Sequence, residues 1–144
     1  MLLKNPLNGT ASPAGNIASA DTLKALDKLD FSSTFSSGSS VADFVVDEVI
    51  TGQSSGAVAF VTEINSTDGF VFFHQNQKTG FVSFTNGEQV LGGTSGTNGT
   101  LESSSAVILS ELDRESGEIL FLENRLPINR TASQIEDIKI ILEF

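Results

Sequence analysis

The chain of 144 residues has no cysteine, no tryptophan and no tyrosine, a single histidine and only three prolines. Without cysteine there is no disulfide framework, no thiolate nucleophile and no Cys-based zinc site, and the absence fits folding in a reducing cytosol. Every aromatic residue is a phenylalanine, eleven in all. Phe buries area without a polar handle, so these rings suit cores better than ligand reading. Cations are scarce as well: eight Lys and Arg stand against eighteen Asp and Glu, a formal net charge of -10. That balance argues against nucleic acid, whose phosphates call for a basic patch, and against an anionic membrane surface. It is compatible with a partner that offers a basic face. The longest apolar runs are a few residues, far short of a membrane span, and the opening MLLKNPLNGTASPAGN lacks the apolar segment of a signal peptide.

What is present is a globular composition, 39% apolar, in a length that suits one domain with a real core or two small β units. Residues 1–20 form a turn-rich arm marked by Pro6, Asn8-Gly9, Pro13 and Gly15. In residues 21–29, DTLKALDKL, the spacing of Leu23, Leu26 and Leu29 predicts a short helix capped by Ser19 or Asp21. The serine-rich FSSTFSSGSS of residues 31–40 reads as a linker with two Phe anchors.

From Val41 the pattern changes to an internal repeat with a period of forty residues. Phe44 matches Phe84, Glu48 matches Glu88, Ile50 matches Val90, Gly52 matches Gly92, Ser55 matches Ser95 and Gly56 matches Gly96. The shared template is a strand with a Glu, a Gly, a Ser-Gly turn and a second strand, with glycine supplying the positive φ a tight reversal needs. Between the copies, residues 69–84 read as a hairpin bent at Asn76 to Gly80. Short strands with turn signals every ten residues or so predict a mainly β fold, a small barrel or roll built from the repeated hairpin. Inward alternation would place Phe44, Ile50, Phe60, Phe72 and Phe84 inside it. Beyond Ala106 follow a strand in VILSEL, a polar turn over residues 113–117 and an apolar strand over residues 119–122. In the closing segment Ile138, Ile140, Leu142 and Phe144 share one face at strand spacing.

Candidate chemistry is thin. His74 has neither a nucleophile nor an orienting carboxylate among its sequence neighbours and reads as a half-exposed residue at a strand end. The acidic clusters Glu111, Asp113, Glu115, Glu118 and Asp43, Asp47, Glu48 would need a facing pair across a cleft for glycoside hydrolysis; solvated turns explain them more simply. A calcium loop needs alternating oxygens around a glycine, a pattern that Asp113-Arg114-Glu115-Ser116-Gly117 suggests only faintly, and the glycines of residues 92–99 lack the Gly-Lys-Ser/Thr ending of a phosphate loop. Four Asn-x-Ser/Thr sequons, at Asn8, Asn65, Asn98 and Asn129, match chance in so Asn-, Ser- and Thr-rich a chain. The one placed polar cluster is Glu123-Asn124-Arg125 followed by Pro127. Two readings stand: an intersubunit contact through forked Arg bonds, or an internal brace in which Arg125 pairs with Glu136 or Asp137.

Ser116-Gly117-Glu118, the apolar Ile119 to Leu122, Glu123-Asn124-Arg125, Pro127-Ile128, Gln134-Ile135-Glu136 and the strand Ile138 to Phe144 follow in an order that resembles the C-terminus of a baseplate wedge subunit of contractile-tailed bacteriophages. Leu2-Leu3-Lys4-Asn5-Pro6-Leu7 is similar to a family segment running into Asn-Pro-Leu. The hairpins Glu48 to Gly56 and Glu88 to Gly96 look like those carried by the T-even-like versions from phages of marine cyanobacteria. The resemblance implies a structural virion protein of the tail baseplate, made in the host cytoplasm, a scaffold for assembly with no catalysis. It implies contacts with other wedge proteins and self-pairing; taken with the residue patterns above, no cofactor, metal, membrane, nucleic-acid or small-molecule partner is expected. It further implies three regions: an arm and linker over residues 1–40, a β-hairpin insert over 41–110, and C-terminal strands over 111–144. The first and last would belong to a second β-rich (α+β) wedge domain that reads as incomplete, so that strands pairing with Leu2 or Ile138 are missing. The alternative is a carbohydrate- or receptor-binding β module of a phage tail, with the repeats as its working part; a hydrolase comes third.

Overall fold

The structure, a computed structural model, describes residues 2–11, 14–18 and 23–121. The fold is mainly β, with a closed antiparallel barrel of six strands and a fringe of further strands. The barrel strands are β3 (Asp27–Phe35), β4 (Val49–Gly52), β5 (Val58–Asn65), β6 (Phe70–His74), β7 (Gln89–Gly92) and β8 (Asn98–Leu101). They run round the barrel as β6-β5-β4-β7-β8-β3, and β3 closes on β6. The fringe comprises β1 (Leu2–Lys4), β2 (Leu7–Asn8), β9 (Val107–Ile108), β10 (Leu112–Asp113) and β11 (Glu118–Phe121).

Both copies of the repeat fold as the same hairpin. Val49 opposes Phe60 in the first and Gln89 opposes Thr100 in the second, the same register forty residues apart. The hairpins meet through β4 and β7, where Thr51 lies opposite Leu91. A local two-fold therefore passes through that pair. On the far wall Leu29 lies opposite Val71, both fully buried. Alternation then sets the core: Ile50, Ala59, Val61, Val71, Val90 and Leu101 point in. Each fully buried Leu, Ile or Val contributes roughly 1.5–3 kcal/mol relative to exposure. Because β4 and β7 run antiparallel, Phe44 and Phe84 fall at opposite ends of the barrel. Phe44 packs on Phe31 with ring centroids 5.2 Å apart, and Phe84 on Phe73 at 5.5 Å.

Four expectations change. The predicted helix is absent over the described residues 23–29; Asp27 begins a nine-residue strand that runs on through the serine-rich stretch read as a linker. Leu29 and Phe31 are both buried by the period of two, and pairing with β6 and β8 supplies the ladder a short isolated helix could not match. The hairpin read over residues 69–84 does not form, because β6 pairs with β5 and β3 while residues 81–84 carry no strand. There the Gln75 side-chain amide donates to Val58 O at 3.0 Å and Val82 O at 2.8 Å, replacing a backbone ladder. Phe60 and Phe72 lie outside the barrel. Phe60 is half-buried and stacks on His74 at 5.3 Å; Phe72 is buried under Lys24 and Lys28, whose ammonium groups sit 5.5 and 5.8 Å from its ring. Finally, Leu2–Lys4 has a partner within the chain, pairing antiparallel with Glu118–Phe121, and β2 pairs with β10.

Candidate functional site

The repeated Glu and the repeated Ser-Gly turn belong to one device, built crosswise. The Glu48 carboxylate reaches from the first hairpin to the tip of the second. There it accepts hydrogen bonds from the backbone N–H groups of Thr94 (3.0 Å) and Ser95 (2.9 Å) and from Ser95 Oγ (2.9 Å), and it takes a fourth from its own loop at Val45 N (2.7 Å). Glu88 returns the arrangement, accepting from Ser54 N (3.0 Å), Ser55 N (2.9 Å), Ser55 Oγ (2.8 Å) and Thr85 N (2.6 Å). Both residues are only 4% exposed. Burial pushes each carboxyl pKa up, but the hydrogen bonds outweigh it and hold both groups below the ordinary glutamate value.

The template glycines make room for these carboxylates. A Cβ at Gly52 would come within 2.7 Å of the Glu88 oxygens, and one at Gly92 within 2.8 Å of a Glu48 oxygen. The glycine-rich turn at residues 92–96 is thus an anion nest after all, but its occupant is the protein's own glutamate. Each carboxylate accepts bonds from both hairpins, so the pair joins the two halves of the barrel.

A second polar cluster lies at the barrel end marked by Phe84. The Asp27 carboxylate accepts from Ser110 N at 2.8 Å and from Arg114 Nη2 at 2.9 Å. Two clefts flank this ion pair and share Asp27, Arg114 and Glu115. One, of about 510 Å³, runs toward the arm at Asn8, Gly9, Ala14 and Gly15. The other, of about 300 Å³, is walled by His74, Gln75 and Phe81. His74 lies at the end of β6 and is exposed; its Nδ1 is 3.2 Å from Thr62 Oγ1, and among the described residues no carboxylate hydrogen-bonds to the imidazole.

The other residues singled out in the sequence fall apart spatially. Asp43 closes a capping box on Ser40, and Glu111 accepts from Lys24 N at 2.7 Å. Among the described residues no group of His, Asp or Glu could hold a metal ion, and no helix is long and apolar enough to cross a membrane. Glu123, Asn124, Arg125, Pro127 and Glu136 lie outside the described residues, as does the closing strand from Ile138. Sequence reasoning did not bring Asp27, Arg114 and Phe81 together, for nothing local marks them as neighbours. It matched Glu48 with Glu88 but not their crossed partners, although a Glu, a Gly and a Ser recurring together are the signature of the cradle. Searches against known protein families, characterised proteins and solved structures return no match for this chain.

Proposed function

We propose that the chain is a structural virion module, part of the baseplate wedge of a contractile phage tail, that holds neighbouring wedge proteins and performs no reaction. The observation that carries this reading is the pair of crossed carboxylate cradles. The most elaborate polar chemistry of the described residues goes into locking two hairpins together. A rigid closed barrel of this kind suits a part that transmits load, and closure leaves few free strand edges for unwanted pairing. Its outer surface adds support. Val45 and Val46 stand out beside Asp43 and Asp47, an apolar centre with an acidic rim that matches a partner offering apolar and basic side chains. The resemblance of the last thirty residues to wedge subunits gives the reading its particular place, the tail baseplate.

Gold-labelled antibody raised against the chain, applied to purified tails of the phage that encodes it, tests the proposal. Label is expected at the baseplate, in a ring of copies. Label on the sheath or capsid, or none on intact particles, removes it.

A further inference from the structure

The two-fold of the barrel makes each end a control for the other. Position 41 in the first half corresponds to position 81 in the second, three residues ahead of Phe44 and Phe84 respectively. Val41 is 5% exposed and closes its end, whereas Phe81 is 71% exposed. One end is sealed by an aliphatic side chain; the other holds a phenyl ring in water. That ring is not on open surface. It walls the cleft of about 300 Å³ together with Gln75, Arg114 and Glu115.

Gln75 and Arg114 beside it are held by hydrogen bonds, and all three polar groups around it keep capacity to spare. Gln75 is held by both bonds from its amide nitrogen, which leaves its oxygen as an acceptor. Arg114 gives one N–H to Asp27 and has four more. The Glu115 side chain bonds to no other described residue, since only its backbone N–H is engaged, with Asp113. A flat apolar face with anchored donors and acceptors at its edge complements a pyranose, whose C–H face is apolar and whose hydroxyls lie round the rim. The carboxylates of Asp27 and Glu115 outnumber the single guanidinium here, which disfavours uronic or sialic acids. The adjoining cleft of about 510 Å³ continues past the Asp27–Arg114 pair, giving room for further sugar units.

We propose that the Phe81 cleft binds a neutral oligosaccharide, one hexose ring stacked on Phe81 and its hydroxyls held by Gln75, Arg114 and Glu115. The site lies at the barrel end marked by Phe84, and it stands apart from the wedge reading: a scaffold can carry it or lack it.

The full chain, labelled with ¹⁵N, is titrated with maltohexaose, chitotetraose and a rhamnose tetrasaccharide, each to about 10 mM, a range that captures millimolar affinity. At least one is expected to give saturable amide shifts confined to residues 74–82 and 113–116. Phe81→Ala is expected to weaken that binding about tenfold or more, with the amides of Ile50, Val61 and Val90 unmoved, and Arg114→Lys to weaken it less. Three results overturn the proposal: no saturable shift with any of the three sugars, unchanged affinity in Phe81→Ala, or shifts that follow the concentration of the chain and thus mark self-association through the ring. None of these touches the localisation result for the wedge reading.

Discussion

The two halves of the barrel agree where they hold each other and differ where the rest of the chain meets them. Glu48, Gly52 and Ser55 have their counterparts in Glu88, Gly92 and Ser95, and the counterparts make the same bonds. The loops ahead of the two glutamates have diverged. In the second half, Asn86 Oδ1 accepts from Ala106 N at 3.0 Å and Gly87 N donates to Glu102 O at 2.8 Å, so residues 102–106 lie over the loop. In the first half the equivalent Val45 and Val46 are 45% and 48% exposed, and Asp47 N turns to Val61 O instead. The cradle tolerates one solution because each part fits the other half's carboxylate. The loops are free to follow their neighbours, and in the first half Val45 and Val46 stay exposed.

The largest expected effect breaks the cradle. Glu48→Ala strands the N–H groups of Val45, Thr94 and Ser95 in a buried site, and Glu88→Ala does the same to Thr85, Ser54 and Ser55. Each is expected to destabilise by about 3–5 kcal/mol, the range for removing one partner of a buried charged network, read as a lowered urea midpoint. Similar costs from the two variants uphold the symmetry. A cost below about 1 kcal/mol for either, the scale of an ordinary exposed pair, would show that its cradle holds nothing.

Acid should weaken the same device reversibly. Both glutamates have folded pKa values below the ordinary 4.5, so between the two values the unfolded chain binds more protons. Their stabilisation is fully present above the unfolded value and is lost as pH falls through the folded pKa values. Asp30 runs the other way. Burial first and the neighbouring Glu102 second raise its pKa, against Lys28, so protonation relieves it as pH falls through the raised value. Urea unfolding from pH 6 down to pH 2 should therefore steepen in Asp30→Asn and flatten in a Glu48→Gln, Glu88→Gln double variant. A double variant that keeps the full acid dependence would move its source elsewhere.

How much of this the sequence disclosed follows from what was local. The repeat and its turns were legible, since Glu, Gly and Ser-Gly recur at one spacing, and from them came a barrel of paired hairpins. The crossing was not legible, because a period says that two units are alike and not which contacts which. The strand Asp27–Phe35 was hidden by composition: leucines three apart suggest a helix, and serines suggest a linker. Yet Ser32 Oγ donates to Thr100 O at 3.0 Å, and Leu29 and Phe31 just ahead of it go inward. Alternation was read one residue out of phase at Phe60 and Phe72, where strand boundaries cannot be fixed from pattern alone. The Asp27–Arg114 pair joins residues 87 positions apart, a separation that no motif spans. As for Glu123 to Pro127 and Glu136, both readings of that corner still stand as the sequence left them.

A smaller effect separates the inner faces. Ala59 and Gly99 occupy matching places, and both face the core. A Cβ at Gly99 would press against Phe35 and come within 2.8 Å of Phe31, whereas Ala59 already carries one. Gly99→Ala should thus cost about 1–3 kcal/mol through overpacking. Ala59→Gly should cost about 1 kcal/mol, from chain entropy and a lost methyl. Calorimetric unfolding of the pair gives the order. The reverse order would mean that Phe31 and Phe35 yield easily and that the glycine is incidental.

The smallest effect sharpens the loop comparison and has the opposite sign. Asp47 holds φ at 68°, in the left-handed region, where its counterpart Gly87 sits at 74° without a Cβ. The left-handed conformation costs an ordinary L-residue roughly 1–2 kcal/mol, less for Asp, and glycine adds entropy to the unfolded chain. The net gain expected from Asp47→Gly is about 0.5 kcal/mol, a rise of a few degrees at most in the midpoint of thermal unfolding. Val61 O, the acceptor for the residue 47 N–H, stays in reach because only the side chain changes. If the variant is instead destabilised, the aspartate carboxylate contributes something to this loop that its matched glycine has no need of. The acidic rim beside Val45 and Val46 would then be part of the fold and not only of the surface it offers.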